Sequence, residues 1–141
     1  MRMTSIAVFA LVLPLAAVAE EPKKVEVKQI DLSDLKFPRP TGKVDRPTII
    51  TSIDELNKAV TNAEARDRIK KDADFATQKV LFFGWSGSGG DKLTATVEIG
   101  DKGPEVVFHY QRGLTKDLRG HVRVFTVTKS APWRVEPVKS R

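Results

Sequence analysis

The sequence predicts an α+β domain in which one capped helix, or two, packs on a four- to five-stranded antiparallel meander. Three observations lead there. Ser52 with Glu55 three residues on forms a capping box that opens a run of apolar residues at helical spacing. From Lys79 onward the apolar period falls to two, the repeat of a strand with one buried face. Each connection between the alternating segments contains Gly or Pro, as turns require.

The chain opens on a segment of a different kind. Arg2 supplies a positive start, Ile6 to Leu15 form an apolar run broken only by Pro14, and Ala17-Val18-Ala19 places small residues where a signal peptidase cuts. A bilayer needs about 20 apolar residues, so this run is too short to span one and reads as a cleavable secretory signal over residues 1–19. The expected location is secreted or periplasmic. Residues 20–43 are polar and carry Pro22, Pro38 and Pro40, which exclude a helix and suggest an extended or disordered leader. Val25, Val27 and Ile30 could form an edge strand within it. A single domain is expected over residues 44–138, with residues 139–141 as a tail.

Within that domain Thr48-Ile49-Ile50-Thr51 is a short extended piece. The helix beginning at Ile53 places Ile53, Leu56, Ala59 and Val60 on one face, with Asp54, Asn57 and Lys58 on the other. A break near Thr61-Asn62 is the preferred reading, with Asn62 capping a second short helix. Val80 to Trp85 is an apolar run suited to a central strand covered on both faces. Leu93, Ala95, Val97 and Ile99 alternate with Thr94, Thr96 and Glu98, and Val106, Phe108 and Tyr110 alternate in turn. Val122 to Val127 and the pair Trp133 and Val135 complete the strands.

Removal of residues 1–19 from the 141-residue chain leaves 122, one domain's worth. The chain has no cysteine, so no disulfide framework, thiolate nucleophile or cysteine-ligated metal is available. It carries 24 Lys and Arg against 18 Asp and Glu, and since only Arg2 lies in the signal the mature form keeps 23 against 18. That excess favours anionic partners such as acidic proteins, acidic glycans or phospholipid headgroups. The basic residues are dispersed among acids with little aromatic interleaving, which argues against nucleic acid.

In an up-and-down meander alternate turns share an end. The connections Ser86 to Asp91 and Arg112 to Gly120 would then lie together and gather Trp85, Ser86, Ser88, Asp91, Lys92, Arg112, Lys116, Asp117, Arg119 and His121 as candidate partner-binding residues. Loops on a rigid scaffold commonly carry binding function. In the competing reading, Gly87, Gly89 and Gly90 serve a tight hairpin requiring positive φ, Asp117 braces its own loop, and Trp85 is core.

The motifs in this region fail the tests for cofactor chemistry. Gly84 to Lys92 lacks the Lys directly after the last Gly and the following helix of a phosphate-binding loop, and Lys92 stands where a dinucleotide fingerprint needs its third Gly. A small anion nest of backbone N–H groups remains open. A nucleophile elbow needs a helix after its Ser, and here a strand follows. A small serine hydrolase using Ser86 or Ser88 with His121, oriented by Asp117, is the alternative function. With strands paired in sequence order, His109 and His121 would stand about 10 Å apart at ~3.3 Å per residue, too far to share a metal. No cofactor or metal is expected, and the chain is not expected to be an enzyme.

Ile50 to Lys129 resembles the C-terminal domain of the PrcB protease-complex-subunit family. The likeness rests on the capped helix at Ser52 to Val60, the Asp74-Phe75 pair leading into Lys79-Val80-Leu81-Phe82-Phe83-Gly84, the Gly89-Gly90 turn, and the late strand ending Val127-Thr128-Lys129. The chain is also similar to short secreted bacterial proteins that share its Trp-Ser-Gly-Ser-Gly and Asp-Leu-Arg-x-His segments. The PrcB family typically reads Thr-Gly-Gly-Tyr at the turn, whereas Ser88-Gly89-Gly90-Asp91 has no aromatic, so no role of that Tyr carries over. The resemblance implies a non-catalytic role, binding or stabilising an extracytoplasmic protease or another protein.

Overall fold

The computed structural model describes residues 24–138, so the signal segment and the tail at 139–141 lie outside the described residues. The chain is an α+β domain of three layers. Strands β1 (Val27–Ile30), β2 (Thr48–Ile50), β3 (Gln78–Ser88) and β6 (Leu118–Thr128) form a four-stranded sheet in the order β1-β6-β3-β2. Strands β4 (Lys92–Gly100), β5 (Gly103–Gln111) and β7 (Trp133–Pro137) form a second sheet in the order β4-β5-β7. Helices α1 (Ile53–Ala59) and α2 (Ala63–Asp72) cover the face of the first sheet that the second sheet leaves free.

Strand β3 explains this layering. Its even positions Val80 and Phe82 pack with Ile50, Leu56, Val60, Ala65, Ile69 and Val124 under the helices. Its odd positions Leu81, Phe83 and Trp85 face the other way and pack with Leu93, Val106, Phe108, Phe125 and Val127 between the sheets. Phe83, Phe108 and Phe125 make mutual ring contacts with centroids 4.8–5.8 Å apart. A strand apolar on both faces must be covered twice. Pairing β3 with β4 in one sheet would leave the second cover missing.

The meander is therefore corrected. Strand β3 pairs antiparallel with β6 over eleven residues, from Gln78 opposite Thr128 to Ser88 opposite Leu118. The β3–β4 connection carries the chain from one sheet to the other, β5 to β6 carries it back, and β7 returns to lie parallel to β5. Strands β4 and β5 do form the expected hairpin, closed at Gly103, whose φ of +106° is the one positive φ among the described residues.

The capping box is present with one difference. The Ser52 hydroxyl accepts from the Glu55 N–H at 3.2 Å, while the Glu55 carboxylate reaches back to the Thr51 N–H at 2.7 Å, one residue before the cap. Asn62 caps α2 by accepting from the Ala65 N–H at 3.0 Å, so the helical stretch breaks where the sequence suggested.

From Lys24 on, the leader is part of the fold. Strand β1 pairs with β6 at the sheet edge, Ile30 and Leu32 are buried under the helices, and Phe37 stands edge-on to Phe82. Pro40 lies over Gly84 and Gly120, where a Cβ would come within 3.1 Å and 2.8 Å of the proline ring. The edge strand was legible in the spacing of Val27 and Ile30, whereas Leu32, Leu35 and Phe37 are spaced irregularly before the prolines and escaped a periodicity argument. No helix among the described residues is long and apolar enough to cross a membrane.

Candidate functional site

Strands β3 and β6 run past the body of their sheet, and their far ends set Trp85 directly opposite His121. The two rings stack at 5.0 Å with planes 19° apart. Ser86 to Ser88 belong to β3 and Leu118 to Gly120 to β6, so most of the glycine-rich segment is strand rather than loop. The connection to β4 shrinks to a turn closed by the Asp91 N–H donating to the Ser88 carbonyl at 3.0 Å.

Asp91 organises this end. It is 4% exposed, and its Oδ2 accepts from the Trp85 indole at 3.0 Å and from the Tyr110 hydroxyl at 2.9 Å. Its Oδ1 accepts from the Gly113 N–H at 2.7 Å. Burial alone would raise the Asp91 carboxyl, but the donated bonds from Gly113, Trp85 and Tyr110 outweigh it and hold the group below the ordinary carboxylate range. Burial, and next the neighbouring Asp91 carboxylate, raises the Tyr110 phenol. One buried carboxylate thus ties together β3, β5 and the loop that follows β5.

A second set of bonds joins the loops at the surface. The Ser88 and Thr115 hydroxyls lie 2.6 Å apart, the Gly90 N–H donates to Ser88 Oγ at 3.3 Å, and the Gly89 N–H donates to Asp117 Oδ1 at 3.2 Å. Arg119 holds the other Asp117 oxygen. Bonds from Thr115, the Gly89 N–H and Arg119 lower the Asp117 carboxyl to about 2. The glycines permit close approach rather than positive φ. A Cβ on Gly113 would sit 2.4 Å from the Gly90 carbonyl carbon, and one on Gly87 would overlap the Asp91 carboxylate.

The sequence grouped ten residues at this end, and the structure divides them. Trp85, Asp91 and His121 are buried, at 3%, 4% and 8% exposure, so none is a surface anchor. Trp85 lies on the inter-sheet face of β3, with its indole spent on Asp91. Ser86 and Ser88 are half-buried, while Lys92, Arg112, Lys116, Asp117 and Arg119 are exposed. Between the two loops lies an open depression of about 1010 Å³, lined by Ser88, Arg112, Leu114, Lys116 and Leu118 among others. Leu114 is 93% exposed, Leu118 58%, and Val138, also on the wall, 43%. Arg112 and Lys116 join no ion pair among the described residues. Sequence reasoning missed Tyr110, Gly113 and Thr115, which build the floor, and the leucines of the rim. Tyr110 was visible as an inward position of β5, Gly113, Leu114 and Thr115 were single residues in a loop, and Leu118 is the first residue of β6.

The triad geometry is absent. The His121 Nε2 donates to the Ser88 carbonyl at 2.7 Å, not to a serine hydroxyl, and Ser86 Oγ donates to the Pro40 carbonyl at 2.7 Å. Asp117 is held by Gly89 and Arg119 rather than by His121. His109 lies on the other sheet, between Glu98 and Glu136 and against Thr96. No group of three or more His, Cys, Asp or Glu side chains suited to a metal ion occurs among the described residues. No family model, curated protein or solved structure matches the chain.

Proposed function

We propose that the chain is a secreted or periplasmic, non-catalytic binding module whose loop-rich end takes an acidic segment of a protein partner. The observation that carries this reading is the open depression itself. Its floor is fastened by Asp91, and its rim sets Arg112 and Lys116, which join no ion pair among the described residues, beside the exposed Leu114 and Leu118. An acidic partner gains charge-assisted contacts there, and apolar area is removed from water at the same place. The resemblance to the PrcB family supports a protease as the partner, and the signal-like residues 1–19 support export.

The test is affinity capture from a periplasmic extract, comparing the wild type with Arg112→Glu/Lys116→Glu. A protein captured by the wild type and lost by a variant of unchanged thermal stability is expected. Capture indifferent to both reversals, or no capture at all, overturns the reading. Retention on heparin or anionic vesicles that vanishes with moderate salt, without a captured protein, would replace it with a general anionic-surface binder, since exposed charges are screened over about 10 Å at 0.1 M.

A further inference from the structure

Away from the depression, the second sheet ends on one side at β4, and that edge is open. The Val106 N–H donates to the Pro132 carbonyl and the Tyr110 carbonyl accepts from the Val138 N–H, so the even-numbered residues of β5 point their backbone groups toward β7. Glu105, Val107, His109 and Gln111 therefore point theirs toward β4, where the register meets them with Glu98, Thr96, Thr94 and Lys92. By the same alternation Leu93, Ala95, Val97 and Ile99 turn their N–H and C=O groups to the free side. Strand β1 of the other sheet runs near β4 without pairing with it.

Two of the usual protections of an edge, a bulge and a proline, are missing. The register runs through nine consecutive pairs without a bulge, and β4 contains no proline. Its inward-facing side chains end in Val97 at 42% and Ile99 at 82% exposure, so the inter-sheet core is unfinished at the Gly100 end of this edge. We propose that β4 pairs antiparallel with β4 of a second copy about a two-fold axis at Ala95, giving one six-stranded sheet across the two molecules.

The axis is fixed by charge. Placed at Ala95, it sets Ala95 against Ala95 and Leu93 against Val97 in hydrogen-bonded pairs made by the outward-facing backbone groups. It sets Thr94 against Thr96 and, at each end, Lys92 of one copy against Glu98 of the other. An axis at Thr96 would put Thr94 against Glu98 and Lys92 against Gly100, and one at Val97 would put Thr96 against Glu98. Of these, the axis at Ala95 alone brings opposite charges face to face, the arrangement that stabilises cross-strand pairs. Lys92 is exposed and joins no ion pair among the described residues, and Glu98, which also faces Arg134 at 3.6 Å and His109 at 3.9 Å, is exposed enough to take Lys92 as a further partner.

Sedimentation velocity on the purified chain over about 1 µM to 1 mM, the range of a small interface, tests this. A concentration-dependent dimer is expected. Lys92→Glu or Glu98→Lys alone places like charges opposite at both ends and should weaken it about tenfold, and the double exchange Lys92→Glu/Glu98→Lys should restore it. Ala95→Pro removes an outward N–H without touching the β4–β5 ladder and should abolish the dimer while the monomer stays folded. A monomer throughout the range overturns the proposal, as does a dimer indifferent to single reversals or to Ala95→Pro.

Discussion

Replacing Asp91 with Asn probes the feature that holds the two loops together. The aspartate offers two acceptor oxygens, one taken by the Gly113 N–H and the other by Trp85 and Tyr110. Asparagine offers one oxygen and one NH₂ group. The Tyr110 hydroxyl can rotate and accept from that NH₂, but the indole and the Gly113 amide only donate, and they sit on opposite oxygens. Either orientation of the Asn amide therefore sets a donor against a donor at a site 4% exposed. Stranding one buried donor costs about 1–3 kcal/mol, or roughly 4–12 °C in Tm for a domain of this size. The pH dependence has a definite sign. The folded carboxyl titrates below its ordinary value, so its contribution is complete above about pH 4 and fades as the pH falls through the folded pKa. The gap in Tm between wild type and Asp91→Asn should hold from pH 7 to pH 5 and narrow below about pH 4. Thermal unfolding followed by tryptophan fluorescence measures this. A variant melting within about 1 °C of wild type at pH 7, or a gap that widens in acid, would show that the Asp91 carboxylate does not hold the two loops together.

Other substitutions test neighbouring parts. Gly113→Ala forces a Cβ into the Gly90 backbone, which cannot yield as a side chain end would, and should destabilise by about 1–3 kcal/mol in denaturant unfolding. Phe83→Ala opens a cavity between the sheets where three phenylalanines meet and should cost about 3–5 kcal/mol by the same measurement. Asn62→Ala removes the α2 cap and should cost about 1 kcal/mol. Asp117, held at about 2, contributes to loop order above its ordinary pKa and loses that contribution between about pH 4 and pH 2. The Gly89 amide resonance should therefore shift with an inflection near pH 2 rather than near pH 4.

Local structure was legible where a short motif or a clean period carried it. Ser52 with Glu55 marked α1, Asn62 marked the break, and alternation from Leu93 to Tyr110 marked the one true sequential hairpin. The two-faced run from Val80 to Trp85 announced a strand covered on both sides. What covers it was not legible, because pairing partners are chosen by which apolar faces must meet, and β3 meets β6 across 29 intervening residues. Proximity of the two loops was expected from a meander that does not exist. It arises because β3 and β6 are direct partners and Asp91 then pulls in Gly113. The glycines after Trp85 left both a surface and a core reading open, and its place on the inward parity of β3 makes it core. The exposed leucines at 114 and 118 carry no period and could be found only by seeing the depression they rim.

A partner is proposed to bind at the open end between the Ser86–Asp91 and Arg112–Leu118 segments. The most direct measurement is an amide chemical-shift map of the labelled chain, titrated with the protein captured by the wild type. Shifts concentrated at those two segments and absent from the helices α1 and α2 are expected. Shifts centred on the helices or on the outer face of the second sheet, with these two segments unmoved, would contradict it.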